Sequence, residues 1–345
     1  MPTVPLLRRI PWPALAAFSA LLLWAAVLFS PALQSAAAPP ARALQVAASL
    51  WHLLSFYLWY VPAWRRHVIE RRGPLLGVGF AFGAAFVSTL ADASASWRWS
   101  LVALFFWRLA VYVVPFVPPL VRRLPPRPHP VDGAVVVLAL LLSRIPGFDG
   151  AWFAWEGAHP GGLLGGGIGP GSLGAPALLA TYFYGVRPWT GAPLDLKARP
   201  GDGRSAALAV LLAVAGGAAG LLVAGIPPEG APAGGWELAS WLLLGLGLSA
   251  LFEELAFRGI FQAGLSKMLL SGRTGLKAAA ARLCAALAAA ALHGVYGPFG
   301  MPRLAGFGFS LGIGWVFAVS NRYFPAALAH GLGLVASWAL ARLAG

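Results

Sequence analysis

Cysteine and acid are the scarce residues of this 345-residue chain. Its one cysteine, Cys284, excludes an internal disulfide framework. Only 10% of the residues are charged and only 11 are acidic. A soluble domain is nearer about a quarter charged, so an ordinary soluble globular protein is excluded. The acids that remain are outnumbered by 25 lysines and arginines, for a formal net charge of +14. A surplus of that size can serve nucleic acid. Here, however, the basic residues are scattered between apolar runs, which is the pattern of loop charges that orient a membrane protein. No nucleic-acid partner is expected.

What the chain has in quantity is apolar sequence: 59% hydrophobic residues and a mean hydropathy of +0.74. Runs of about 15–23 residues, long enough to cross a bilayer, fall near 11–30, 43–64, 74–92, 99–121, 131–147, 172–186, 205–226, 236–257, 278–293, 305–320 and 325–343. The expected fold is all-α, a polytopic transmembrane helical bundle of about 9–11 spans, the lower number applying if the short runs 131–147 and 172–186 are re-entrant. With the N-terminus in the cytoplasm, seventeen of the 25 basic residues fall in cytoplasmic loops and five outside. That ratio predicts a multi-pass protein of the cell (inner) membrane with a cytoplasmic N-terminus and the lipid bilayer as its medium. Arg8-Arg9, an apolar stretch and Gln34-Ser35-Ala36-Ala37-Ala38 resemble a cleavable signal peptide. An uncleaved first span is the preferred reading, because many spans follow.

Composition divides the chain in three. Residues 1–150 form an N-terminal transmembrane bundle of unknown role, in which His52 and Arg108 read as packing or interfacial residues. Residues 151–204 hold a Gly/Pro-rich connector (Gly161-Gly162, Gly165-Gly166-Gly167), a short span and a polar cytoplasmic loop. Residues 205–345 carry buried acids and histidines.

The most informative segment is Phe252-Glu253-Glu254-Leu255-Ala256-Phe257-Arg258-Gly259. It closes an apolar run, where each ionised side chain costs several kcal/mol on insertion scales, about 2.5–3.5 for an acid at the helix centre. On a helix, Glu254 and Arg258 stand at i and i+4 with the glutamate N-terminal, the favourable orientation for an ion pair. Glu253 is rotated by about 100° and faces elsewhere, which leaves it as the carboxylate available for general-base work. The alternative is a purely structural cluster of all three. The turn Ser271-Gly272-Arg273-Thr274-Gly275 lies midway between Glu253 and His293. In an antiparallel hairpin of equal rise, that symmetry puts the carboxylate and the imidazole at one depth, able to share a water, unless the helix breaks near Gly259. His330 follows Pro325, itself at a plausible helix start, by about a turn and a half and needs a polar partner inside the last span.

In order, Glu-Glu-x-x-x-Arg-Gly, a span ending in His293, and a span with Gly312-x-Gly314 leading into Pro325-Ala-Ala-Leu-Ala-His330 resemble the CPBP family. That family comprises type II CAAX prenyl endopeptidases, bacteriocin-processing and immunity proteins and related bacterial sorting proteases. The likeness covers about 205–343. It implies an intramembrane glutamic-type protease acting on a protein or lipidated-peptide substrate at the membrane, with no cofactor. Glu253 and His293 would activate water, Glu254 and Arg258 would support them, and His330 would help hold the oxyanion. Two positions depart from the pattern. Ala289 stands where the family has phenylalanine, and Leu334 stands where it has an asparagine or aspartate that donates to the oxyanion. Ser337 lies on the same helical face as His330 and offers a substitute donor. Asn321, the only asparagine, is expected near the membrane surface.

Three other readings compete. Glu253, Glu254, His293 and His330 include residue types that ligate zinc, although no His-Glu-x-x-His helix is present. A catalytically impaired immunity or interaction protein of the same fold would explain Leu334. A proton-coupled transporter should show repeat symmetry between its halves, and none is apparent.

Overall fold

The computed structural model describes residues 39–61, 64–65, 73–92, 100–122, 124–125, 127–153, 168–187, 199–224, 250–270, 272, 274–296 and 303–344, with a few positions between 19 and 28. The described residues are almost wholly helical. Their one extended feature is an isolated antiparallel bridge between Phe153 and Ile168. Among the described residues ten helices follow one another: α1 (Pro39–Tyr57), α2 (Gly73–Ala91), α3 (Leu101–Val121), α4 (Pro130–Leu141), α5 (Pro170–Ala180), α6 (Asp202–Ala224), α7 (251–270), α8 (Gly275–Tyr296), α9 (Arg303–Ser320) and α10 (Tyr323–Ala344). The expected all-α membrane bundle is what forms. Among the described residues four helices, within α3, α6, α8 and α9, are long and apolar enough to cross a membrane, and shorter apolar helices lie at Leu75–Ala91 and Tyr323–Ala336. The runs expected at 11–30 and 236–257 lie largely outside the described residues.

Local chemistry sets the boundaries. The Ser100 side chain accepts from the Ala103 amide and starts α3. At α4, Pro130 occupies the first turn while Asp132 accepts from the His129 amide at 2.8 Å. Asn321, exposed and at φ 51°, ends α9 with its amide on the Phe317 carbonyl. The short run expected at 172–186 is α5 and a widened π turn after it (Thr181–Val186). All eleven residues of α5 are buried. At about 1.5 Å per residue it spans roughly half the hydrocarbon thickness, so it is a central strut rather than a lipid-facing span.

Between membrane helices, lipid tails compete with side chains for apolar contact, so close backbone approach matters more than hydrophobic burial. The α6–α9 seam is the clearest case. A Cβ on Gly216 would lie 2.3 Å from the Gly308 carbonyl oxygen, and one on Gly308 would lie 2.1 Å from the Gly216 oxygen. Only glycine lets those backbones meet. This seam carries α9 against α6, with Ala209, Ala213, Val316 and Ala329 filling in beside it.

The largest apolar core joins early and late segments: Phe56, Tyr60, Tyr112, Leu178 and Phe183 lie in one cluster with Phe252, Phe257, Ile260 and Tyr323. The early helices also bury ionic groups, which did not stand out in the sequence. Arg108 is fully buried and pairs with Asp92 at the end of α2, donating as well through Nε to the Gly147 carbonyl at 2.8 Å. His52 is equally buried, 2.9 Å from the Ser88 hydroxyl. Both are packing residues of the protein interior. Asp132, Arg187 and Tyr182 form a second such cluster, in which Arg187 also caps the Pro125 and Arg127 carbonyls.

Candidate active site

α7 is not one regular helix. Leu251–Glu254 is α-helical, Leu255–Gln262 widens into π geometry, and Ala263–Leu270 returns to α. Widened turns of this kind recur at functional sites. The helix does not break at Gly259; the widening carries the chain past it, and the match in depth across the α7–α8 hairpin survives. Left-handed glycines at 272 and 275 make the turn.

The five residues singled out from the sequence come together, and each is fully buried: Glu253, Glu254 and Arg258 from α7, His293 from α8 and His330 from α10. His293 Nε2 lies 2.8 Å from Glu253 Oε2. Arg258 Nε lies 3.3 Å from Glu254 Oε2. The two carboxylates thus serve different partners. His330 spans both, with Nδ1 at 2.8 Å from Glu254 Oε1 and Nε2 at 3.5 Å from Glu253 Oε2. The imidazoles meet edge to face with centroids 5.5 Å apart. Phe257 closes on His293 at 4.7 Å and Phe309 on His330 at 5.3 Å.

Proton bookkeeping narrows what this arrangement can do. An ionised Glu254 only accepts, so His330 Nδ1 carries the proton between them. A neutral His330 would then aim a bare Nε2 at Glu253 Oε2, acceptor against acceptor. A proton on His330 Nε2 or on Glu253 removes the conflict. Two carboxylates against one guanidinium also leave a charge of −1 in an apolar interior, which one shared proton cancels. One proton shared among Glu253, His293 and His330 would satisfy both conditions.

The same three residues satisfy another geometry. Their ligand atoms lie within 4.8 Å of one another. Ligands at about 2 Å from a tetrahedral zinc stand about 3.3 Å apart, between the 2.8 and 3.5 Å separations found here. Glu253, His293 and His330 could hold such an ion with one position open.

Sequence reasoning missed the groups that tie α7 to α9. Arg258 Nη2 donates to the carbonyl and the hydroxyl of Ser310, the former at 2.8 Å. Gln262 Nε2 donates to the Gly314 carbonyl at 2.8 Å. Gln262 stands one further i+4 step beyond Glu254 and Arg258, so its polar character on that face was a readable signal. Gly314 matters because a Cβ there would approach Gln262 Oε1 to 3.2 Å.

Both departures from the family pattern have a physical reading. Ala289 is buried, and the aromatic ring against His293 comes from Phe257 instead. Leu334 is 2% exposed in an apolar cluster with Ala213, Ala263, Phe309, Ile313, Phe317 and Ala326. It packs as a core residue and supplies no donor. The Ser337 side chain lies outside the described residues.

Neither a curated protein nor a solved structure matches the chain. Residues 235–334, the segment that carries Glu253, Glu254, Arg258, His293 and His330, match the family described as type II CAAX prenyl endopeptidase Rce1-like.

Proposed function

We propose that the chain is an intramembrane endopeptidase that hydrolyses a peptide bond of a membrane-associated or lipidated protein through a water activated by Glu253 and His293. The 2.8 Å contact between these two side chains, from different helices and wholly out of solvent, carries the reading. Water attacks the scissile carbonyl carbon, and its proton passes to the Glu253–His293 pair. The carbonyl becomes a tetrahedral oxyanion. Collapse breaks the C–N bond as that proton moves to the leaving amine. His330, held through Nδ1 on the Glu254 carboxylate and bearing a proton on Nε2, stabilises the oxyanion. Arg258 balances Glu254 and ties the helix to α9. Residues 205–345 are the catalytic unit, and the N-terminus lies in the cytoplasm of the cell that holds the protein in its inner membrane. Labelling of single cysteines at residues 68 and 197, in a Cys284→Ala background, tests that orientation; modification from outside intact cells overturns it.

A quenched peptide with a prenylated cysteine and a short C-terminal tail tests the chemistry. Glu253→Gln and His293→Ala should each lose at least the general-base factor of about 10²–10⁴. The double variant should lose little more than either, since both groups hold one water. Full activity in Glu253→Gln overturns the mechanism. The Glu253–His293–His330 spacing favours one second reading, a divalent metal held by those three residues and acting as the Lewis acid. Loss of cleavage on chelation with rescue by zinc selects it.

A further inference from the structure

A chain of hydroxyls runs from the N-terminal bundle to the root of the catalytic helix. Tyr60 ends the 3₁₀ turn that follows α1. Its hydroxyl is 2.7 Å from that of Tyr323, the first residue of α10. The Tyr323 hydroxyl is 2.6 Å from the Leu251 carbonyl, two residues before Glu253. The direction of this chain is fixed. A carbonyl only accepts, so Tyr323 spends its one proton on Leu251 and must receive the proton of Tyr60.

The accepting carbonyl sits where α7 changes form. The Leu255 amide is shared between the Leu251 and Phe252 carbonyls, at the start of the widened stretch. The helix thus draws only partly on the Leu251 oxygen, and the tyrosine takes up the remaining acceptor capacity. Tyr323 stands seven residues, about two turns, before His330 on nearly the same face of α10. One hydroxyl therefore ties the helix bearing both glutamates to the helix bearing the second histidine.

We infer that Tyr60 and Tyr323 are positioning residues, through which the N-terminal bundle fixes the helical phase of Glu253 and Glu254. The inference rests on the catalytic reading for its effect on rate, but not for the coupling itself. It gives residues 1–150 a role in the site that their composition does not reveal. Tyr57 is the natural control. It is buried in the same bundle, and its hydroxyl accepts from Trp24 at 3.0 Å.

Hydrogen–deuterium exchange on the full chain in lipid nanodiscs reads the coupling without a substrate. Tyr60→Phe and Tyr323→Phe should each raise exchange of the 251–262 amides by about 2- to 10-fold, the worth of one net hydrogen bond. The double variant should match Tyr323→Phe alone, because Tyr60 acts only through it. Tyr57→Phe should leave that segment unmoved. With the prenylated peptide, both relay variants should lower kcat by a similar factor and leave KM unchanged. Unaltered exchange in Tyr60→Phe overturns the relay, as does an equal rise in Tyr57→Phe, which would mean general loosening. Should wild type cleave nothing while exchange responds as stated, the catalytic reading fails and the relay stands.

Discussion

The separation of roles between the two adjacent glutamates is testable as a charge balance. Arg258→Met keeps the stem but removes the 3.3 Å pairing with Glu254 and both contacts to Ser310. Breaking a buried pair by removing one partner costs about 3–5 kcal/mol, because the other charge is left uncompensated. The hydrogen bonds to Ser310 fall within that figure rather than on top of it. Glu254→Gln should cost less, since its amide oxygen can still accept from His330 Nδ1. Combining the two removes both charges, so the double variant should be more stable than Arg258→Met alone. Glu253→Gln should leave stability near wild type, its amide oxygen still able to accept from His293. Reversible unfolding in mixed micelles, followed by the fluorescence of the 15 tryptophans, measures each value. The reasoning is refuted if Arg258→Met falls within about 1 kcal/mol of wild type, or if the double variant costs the full sum of the singles.

Two further outcomes follow from packing. Leu334→Asn should lower stability by about 1–3 kcal/mol in the same unfolding assay and leave activity no higher, because the new amide lies among apolar neighbours with no partner; higher activity at unchanged stability would place position 334 in the polar site. Gly308→Ala should cost about 1–3 kcal/mol by forcing α6 and α9 apart, whereas Gly79→Ala, where a Cβ meets nothing within 4 Å, should be neutral or stabilising by up to about 1 kcal/mol. Equal effects at the two glycines would dissolve the seam.

Much of this was legible because a membrane makes polar residues conspicuous. Runs of apolar sequence gave most helices to within a few residues, since length and hydropathy are what the bilayer selects. Glu253, Glu254, Arg258, His293 and His330 stood out because ionisable groups are rare there. The widening of α7 was not legible. Gly259 suggested a break, whereas the chain runs through it in π geometry. Ser310 is one hydroxyl in an apolar helix, and its use depends on the Arg258 fork reaching across. Tyr60 and Tyr323 lie 263 residues apart, so only the folded chain pairs them. The ion pairs of Arg108 and Arg187 were missed for the opposite reason: each partner sits near a helix end, where a charge looks like an ordinary interfacial residue.

The polar groups at the centre explain one another. Glu254 would be untenable in this interior without Arg258, and Arg258 without the Ser310 carbonyl and hydroxyl that α9 offers. Glu253 lies against both imidazoles, 2.8 Å from His293 Nε2 and 3.5 Å from His330 Nε2, close enough to share a proton with them. Under the proposed mechanism, that sharing lets Glu253 supply the general base. Its twin on the next residue, fixed by Arg258, could not supply it.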